Sequence, residues 1–112
     1  MSDRLAHEVR SIRPPTGWRL VDTEVGNKSI ATGVSLRYTG SASTSYLQRY
    51  IRSEFKKNGW TYCMTRETVD GSQLDLDFRQ TDFVGIVTMD NTPQSRNLAI
   101  DASWNEFGGL PC

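Results

Sequence analysis

The sequence predicts an α+β domain: one main helix packed on a mostly antiparallel sheet, in the order β-β-α-β-β-β-β, with a short N-terminal helix as an optional extra element. Three observations predict it. Residues 45–58, "SYLQRYIRSEFKKN", repeat apolar side chains at helical spacing. The segments on either side repeat them every second residue. Asn-Gly and Asp-Gly pairs and other Gly-containing stretches fall where the chain must reverse.

At the N-terminus, Leu5, Val9 and Ile12 recur at helical spacing before Pro14-Pro15, which stops any helix. Residues 1–16 are therefore expected as an arm, and residues 17–112 as a single domain. From Trp18, one side of a strand carries Trp18, Leu20 and Asp22, and the other Arg19, Val21 and Thr23. Residues 25–29 are expected to turn, because Gly26 and Asn27 tolerate left-handed backbone. The return strand alternates Val34, Leu36 and Tyr38 with Ser35 and Arg37, and Gly33 marks a bulge or a close approach.

For the main helix, Ser45 with Gln48 fits a capping box, and Ser41 and Ser43 are alternative caps. Tyr46, Leu47, Tyr50, Ile51 and Phe55 form its apolar stripe. Lys56 and Lys57 suit the negative end of the helix dipole, and Asn58-Gly59 supplies the exit. So short a helix is held by packing of its stripe rather than by propensity.

Beyond it, Trp60, Tyr62 and Met64 alternate with Thr61, Cys63 and Thr65. Asp70-Gly71 marks a hairpin, after which Leu74, Leu76 and Phe78 alternate with Gln73, Asp75, Asp77 and Arg79. Residues 83–89, "FVGIVTM", are apolar at nearly every position and are expected as a central strand. A polar loop, "DNTPQSRN", precedes the last alternating run of Leu98, Ile100, Ala102 and Trp104.

The composition bounds the function. Acids and bases balance at 13 each, so the formal charge is zero, against general nucleic-acid binding. No stretch approaches the roughly 20 apolar residues that span a bilayer, and residues 1–12 lack a signal-peptide core. The expected compartment is the cytosol, or the periplasm or exterior after removal of an export signal. The cysteines, Cys63 and Cys112, fit a disulfide in an oxidising compartment and equally two separate thiols in a reducing one.

Catalytic constellations are not found, so no catalytic residue, cofactor or metal ligand is assigned. The single histidine, His7, lies in the arm, and no nucleophile motif or phosphate loop occurs. Two cysteines and one histidine make a poor zinc set. Asp75 and Asp77 share one strand side, with Asp101 on another strand; facing outward, they would keep ordinary acidity and suit pairing with Arg37 or Arg79, or a basic partner, better than acid–base work. Arg49 and Arg52 lie on the polar side of the helix, where a solvated face is the plain explanation and contact with phosphate or an acidic protein the functional one. Trp104, near the chain end, is either core or an interface anchor, whereas Trp18 and Trp60 fit the core. "NKS" at 27–29 matches a glycosylation acceptor and has meaning only in a secreted eukaryotic chain.

Two function classes remain. The first is a non-enzymatic protein-interaction domain, with Asp75, Asp77, Asp101, Arg49, Arg52 and Trp104 as candidate partner-binding residues. At the level of fold class, such domains are similar to the immunity proteins that neutralise bacterial toxins; the alternative comparison is the mature domain of a bacterial cell-envelope lipoprotein that binds a protein or small ligand. The second class is a cleft between helix and sheet lined by Tyr46, Tyr50, Tyr62 and the tryptophans, holding a small ligand or an active site.

Overall fold

The computed structural model describes residues 2–28, 31–104 and 112. Two helices, α1 (Ser2–Arg10) and α2 (Thr44–Lys57), pack on one face of a six-stranded antiparallel sheet. Its strands are β1 (Arg19–Lys28), β2 (Ala31–Ser43), β3 (Thr61–Glu67), β4 (Gln73–Arg79), β5 (Phe83–Asp90) and β6 (Gln94–Trp104). In space they run β1-β2-β6-β5-β4-β3. After β2 the chain crosses through α2 to the far edge of the sheet. It then meanders back through β3, β4 and β5 until β6 pairs with β2. The predicted element order and class are those of the fold, with the optional N-terminal helix present. Among the described residues no helix is long and apolar enough to cross a membrane.

One core holds the layers together. The sheet contributes Val34, Leu36 and Tyr38 from β2, Leu74, Leu76 and Phe78 from β4, Phe83, Val87 and Met89 from β5, and Leu98, Ile100 and Ala102 from β6. Residues 2–16, expected as an arm, bring Leu5, Val9 and Ile12 into the same core, because the amphipathic spacing that makes α1 a helix also gives it a face to bury. From α2, Leu47, Ile51 and Phe55 are buried. The Phe55 ring stacks on Phe78 with centroids 4.1 Å apart, and Trp60 meets Phe55 edge-on at 5.4 Å. Gly85 on β5 makes room for Trp60: a Cβ there would stand 3.1 Å from Cζ3 of the indole.

The ends of α2 are set by local chemistry. Ser43, not Ser45, is the N-cap, its hydroxyl accepting from the Tyr46 N–H at 3.2 Å. The helix start is also pinned to the β5–β6 loop: the Thr44 N–H donates to the Pro93 carbonyl at 3.0 Å, and its hydroxyl lies 2.5 Å from that of the buried Ser95. At the other end Gly59 takes φ +88°, a conformation that glycine adopts without strain.

Four sequence expectations are corrected. The apolar stripe is narrower than its spacing suggests: Tyr46 is 45% exposed and Tyr50 half-buried, while Glu54 is buried. The turn expected at 25–29 comes later, since Val25–Lys28 pair with Ala31–Val34 and the reversal at 29–30 lies outside the described residues. β6 begins inside the expected polar loop, whose backbone is ordered by Asp90: its Oδ2 accepts from the N–H groups of Arg96 (2.8 Å) and Asn97 (3.2 Å). Finally, the alternation of Trp60, Tyr62 and Met64 breaks at a register shift between Tyr62 and Met64. Tyr62 pairs with core-facing Phe78, whereas Met64 pairs with Asp77 on the opposite face. One extra residue, Cys63, reverses the parity of the strand.

Candidate interaction surfaces

With α1 and α2 on one face, no helix among the described residues covers the other face of the sheet. The register aligns its side chains in rows. One row reads Glu24, Ser35, Asp101, Ile86, Asp77, Met64; the next reads Asp22, Arg37, Ala99, Thr88, Asp75, Arg66. Acids dominate, and half-buried Ile86 and Ala99 lie among them. Asp101 is exposed and has no ion-pair partner among the described residues. Asp75 is half-buried and accepts from the Thr88 hydroxyl at 2.7 Å.

Asp77 shares the row but not the availability. It is 5% exposed, which corrects its outward-facing, solvated expectation. The Arg79 guanidinium stands 3.2 Å from each of its carboxylate oxygens. The contact to Oδ1 is misaligned for a hydrogen bond, so that oxygen has a charge partner without a directed donor. This is the anticipated Asp77–Arg79 pairing, made along one strand rather than across two.

The remaining candidates lie elsewhere. Arg49 and Arg52 are exposed on α2, across the sheet from the acids. Arg49 donates to the Ser45 hydroxyl at 2.9 Å. Arg52 lies over the Tyr62 ring at 4.0 Å, which leaves the edges of its guanidinium free for a partner. Trp104 is half-buried and packs against Phe83 with centroids 5.0 Å apart, at the rim of the core. The six residues thus fall on three separate surfaces, with Asp75 and Asp101 as the accessible candidates of the sheet face and Arg49 and Arg52 as those of α2. Zero net charge conceals this polarity: an acidic sheet face backs a basic helix layer carrying Arg49, Arg52, Lys56 and Lys57. His7 is exposed on α1.

Cys63 and Cys112 form a disulfide with Cα atoms 5.2 Å apart. It fixes the terminal residue to edge strand β3, with β4 and β5 separating that edge from β6.

The aromatic cleft expected between helix and sheet is divided. Tyr62 and Trp60 line a shallow concavity of about 580 Å³ with Arg52 and Lys56. Tyr46, Tyr50 and Trp18 line a different groove of about 490 Å³, between α2 and the 13–16 connector. Sequence reasoning missed the connector's part, since Pro14-Pro15 reads as a helix stop and nothing in its spacing places it against α2. The groove is built rigidly. The Tyr50 hydroxyl donates to the Arg13 carbonyl at 2.8 Å, and burial, followed by the Glu54 charge, pushes its pKa above the usual phenol value. Glu54 is 6% exposed and is held by Lys57 Nζ at 2.8 Å.

Trp18 is seated by Gly40 at the β2 bulge, where a Cβ would stand 2.6 Å from Cγ of the indole. Gly40→Ala is therefore expected to expel the ring and cost about 1–3 kcal/mol, with red-shifted tryptophan emission and a lower denaturation midpoint as the readouts. An unchanged emission spectrum would show that the ring is not seated there.

Comparison with known proteins finds no match among family models, curated proteins or solved structures. The functional reading therefore rests on side-chain chemistry.

Proposed function

We propose that the chain is a non-enzymatic protein-interaction domain whose open sheet face covers a basic patch on a partner protein. The observation that carries this reading is the register of that face, which sets Asp101, Asp75, Asp22 and Glu24 in the two rows that hold half-buried Ile86 and Ala99, with Arg37 beside Ala99 and Arg66 at the β3 edge in the minority. An apolar centre with a charged rim is the usual anatomy of a specific interface. The charges would steer a basic partner and reject an acidic one. A toxin-neutralising immunity protein is the specific form this reading takes, with the acidic face occluding a cationic active site.

The second form is a cell-envelope domain that binds a protein or small ligand. The Cys63–Cys112 bond favours it, because such bonds persist in oxidising compartments.

The test uses the full chain immobilised in wild-type and charge-reversed forms, with extract of the native organism passed over both. A partner retained by the wild type is then titrated by calorimetry. Asp75→Lys combined with Asp101→Lys is expected to weaken binding at least tenfold, about 1.4 kcal/mol or more, while Arg49→Glu leaves it unchanged. Rising salt weakens the wild-type complex. Equal affinity for the wild type and the acidic-face variant rejects the interface. Asp77 is left intact, since reversal of a buried charge would report on folding.

A further inference from the structure

We propose that the groove between the 13–16 connector and α2 binds an extended, proline-rich segment of a partner protein that carries an acidic side chain. The site is on the helix side of the molecule, so it is independent of the acidic sheet face.

The walls suit that ligand. Tyr46 and Tyr50, one helical turn apart, present rings with centroids 6.2 Å apart, and Trp18 and the Pro14-Pro15 rings continue the lining. Tyr46 is exposed, so its ring offers contact area without being part of the core. A polyproline helix docks on such aromatic surfaces because it is ordered before it binds and loses little conformational freedom. The fixed walls reduce the entropic cost on the protein's side as well: Tyr50 is tied to the connector backbone, and Gly40 holds Trp18.

Hydrogen-bonding supply points the same way. Among the described residues the Tyr46 hydroxyl, the Trp18 indole N–H and the Arg13 guanidinium have no partner, and all three residues line the groove. These groups are donors or can donate. The charged acceptor of the groove, Glu54, is already engaged by Lys57. A proline-rich chain presents carbonyl acceptors and lacks N–H groups at its prolines, so it matches the groove's donors and brings few donors of its own. Charge selects the accompanying residue. Glu54 and Lys57 offset each other, which leaves the Arg13 cation to pair with a carboxylate.

The probe is an acetylated, amidated oligoproline with one aspartate near its end. Controls are the same oligoproline without aspartate and a Gly-Ser peptide with it, each titrated into labelled full-length protein and followed by amide and indole NMR shifts. The aspartate oligoproline is expected to shift the Trp18 indole and Tyr46 and Tyr50 amides with saturation, while the Gly-Ser peptide does not. Tyr46→Ala is expected to weaken this binding about tenfold. Arg13→Glu removes the advantage of the aspartate peptide over the neutral one. Both replaced side chains are exposed, and an unchanged dispersion of the remaining amide peaks verifies folding. Asp75→Lys combined with Asp101→Lys, the pair that weakens binding at the sheet face, leaves the groove titration unchanged. No saturable shift at millimolar oligoproline, an equal response to the Gly-Ser peptide, or groove shifts with a neutral oligosaccharide instead overturns the proposal.

Discussion

Phe55→Ala is expected to lower the unfolding free energy by about 3–5 kcal/mol, at least about a fifth of the roughly 5–15 kcal/mol typical of a domain. Phe55 is 1% exposed and joins α2 to the sheet: it stacks on Phe78 of β4 and meets Trp60, just before β3, edge-on. Truncation removes the buried ring area and leaves a cavity that stacked aromatics cannot close without leaving their rotamers. With Leu47 and Ile51, Phe55 supplies the packing that holds the helix, because an isolated segment of its length is marginal in water. Urea denaturation followed by far-UV circular dichroism measures the loss. Tyr46→Ala, one-half exposed on the same helix, is the control and should cost below about 1 kcal/mol. A loss at Phe55 no larger than that would mean that α2 is not held by the sheet, and the packing account would fail.

The residues explain which parts of this architecture were readable in advance. Period-two alternation predicts β4 and β6 because each buries one face, and Leu74, Leu76 and Phe78 face the core as their spacing requires; β5 is legible instead as an almost continuous apolar run, which suits its place inside the sheet. The helix was legible through Leu47, Ile51 and Phe55, yet spacing alone could not separate a buried Tyr50 from one that reaches sideways to the Arg13 carbonyl. A bulge is invisible to pattern reasoning, since it is one uncounted residue. Hence Met64 was assigned to the wrong side of β3, and the burial of Asp77, which pairs with it across the strands, went unforeseen. The rows of the open face were beyond reach for the same kind of reason. They depend on β6 inserting between β2 and β5, and Asp101 enters the row of Asp77 only through that pairing. The groove was harder still, because its two sides come from the connector and α2, which share no sequence period.

Replacement of both cysteines, Cys63→Ser with Cys112→Ser, is expected to lower stability by about 2–4 kcal/mol, near the chain-entropy value of about 4 kcal/mol for a loop of this size. The bond joins residues 49 apart, so it removes many open conformations from the unfolded chain. Guanidinium denaturation of the wild type with and without reductant, beside the double variant, measures the effect. The reduced wild type and the variant should share one lowered midpoint, and their steeper denaturant dependence should reveal a more expanded unfolded state. Coincident midpoints for all samples would mean that the tie contributes nothing. The loss should also be uneven in space. Cys63 is the bulge residue of β3, and β3 is an edge strand with one neighbour, β4. Edge strands open at lower free energy than the interior of a sheet, so hydrogen exchange should accelerate in β3 while the β2–β6–β5 centre follows global unfolding. Met64 and Arg66 on that edge close the two rows that contain Asp101 and Asp75. Loosening β3 therefore frays the rim of the open face before it disturbs the core, which couples the redox state of one bond to the proposed binding surface.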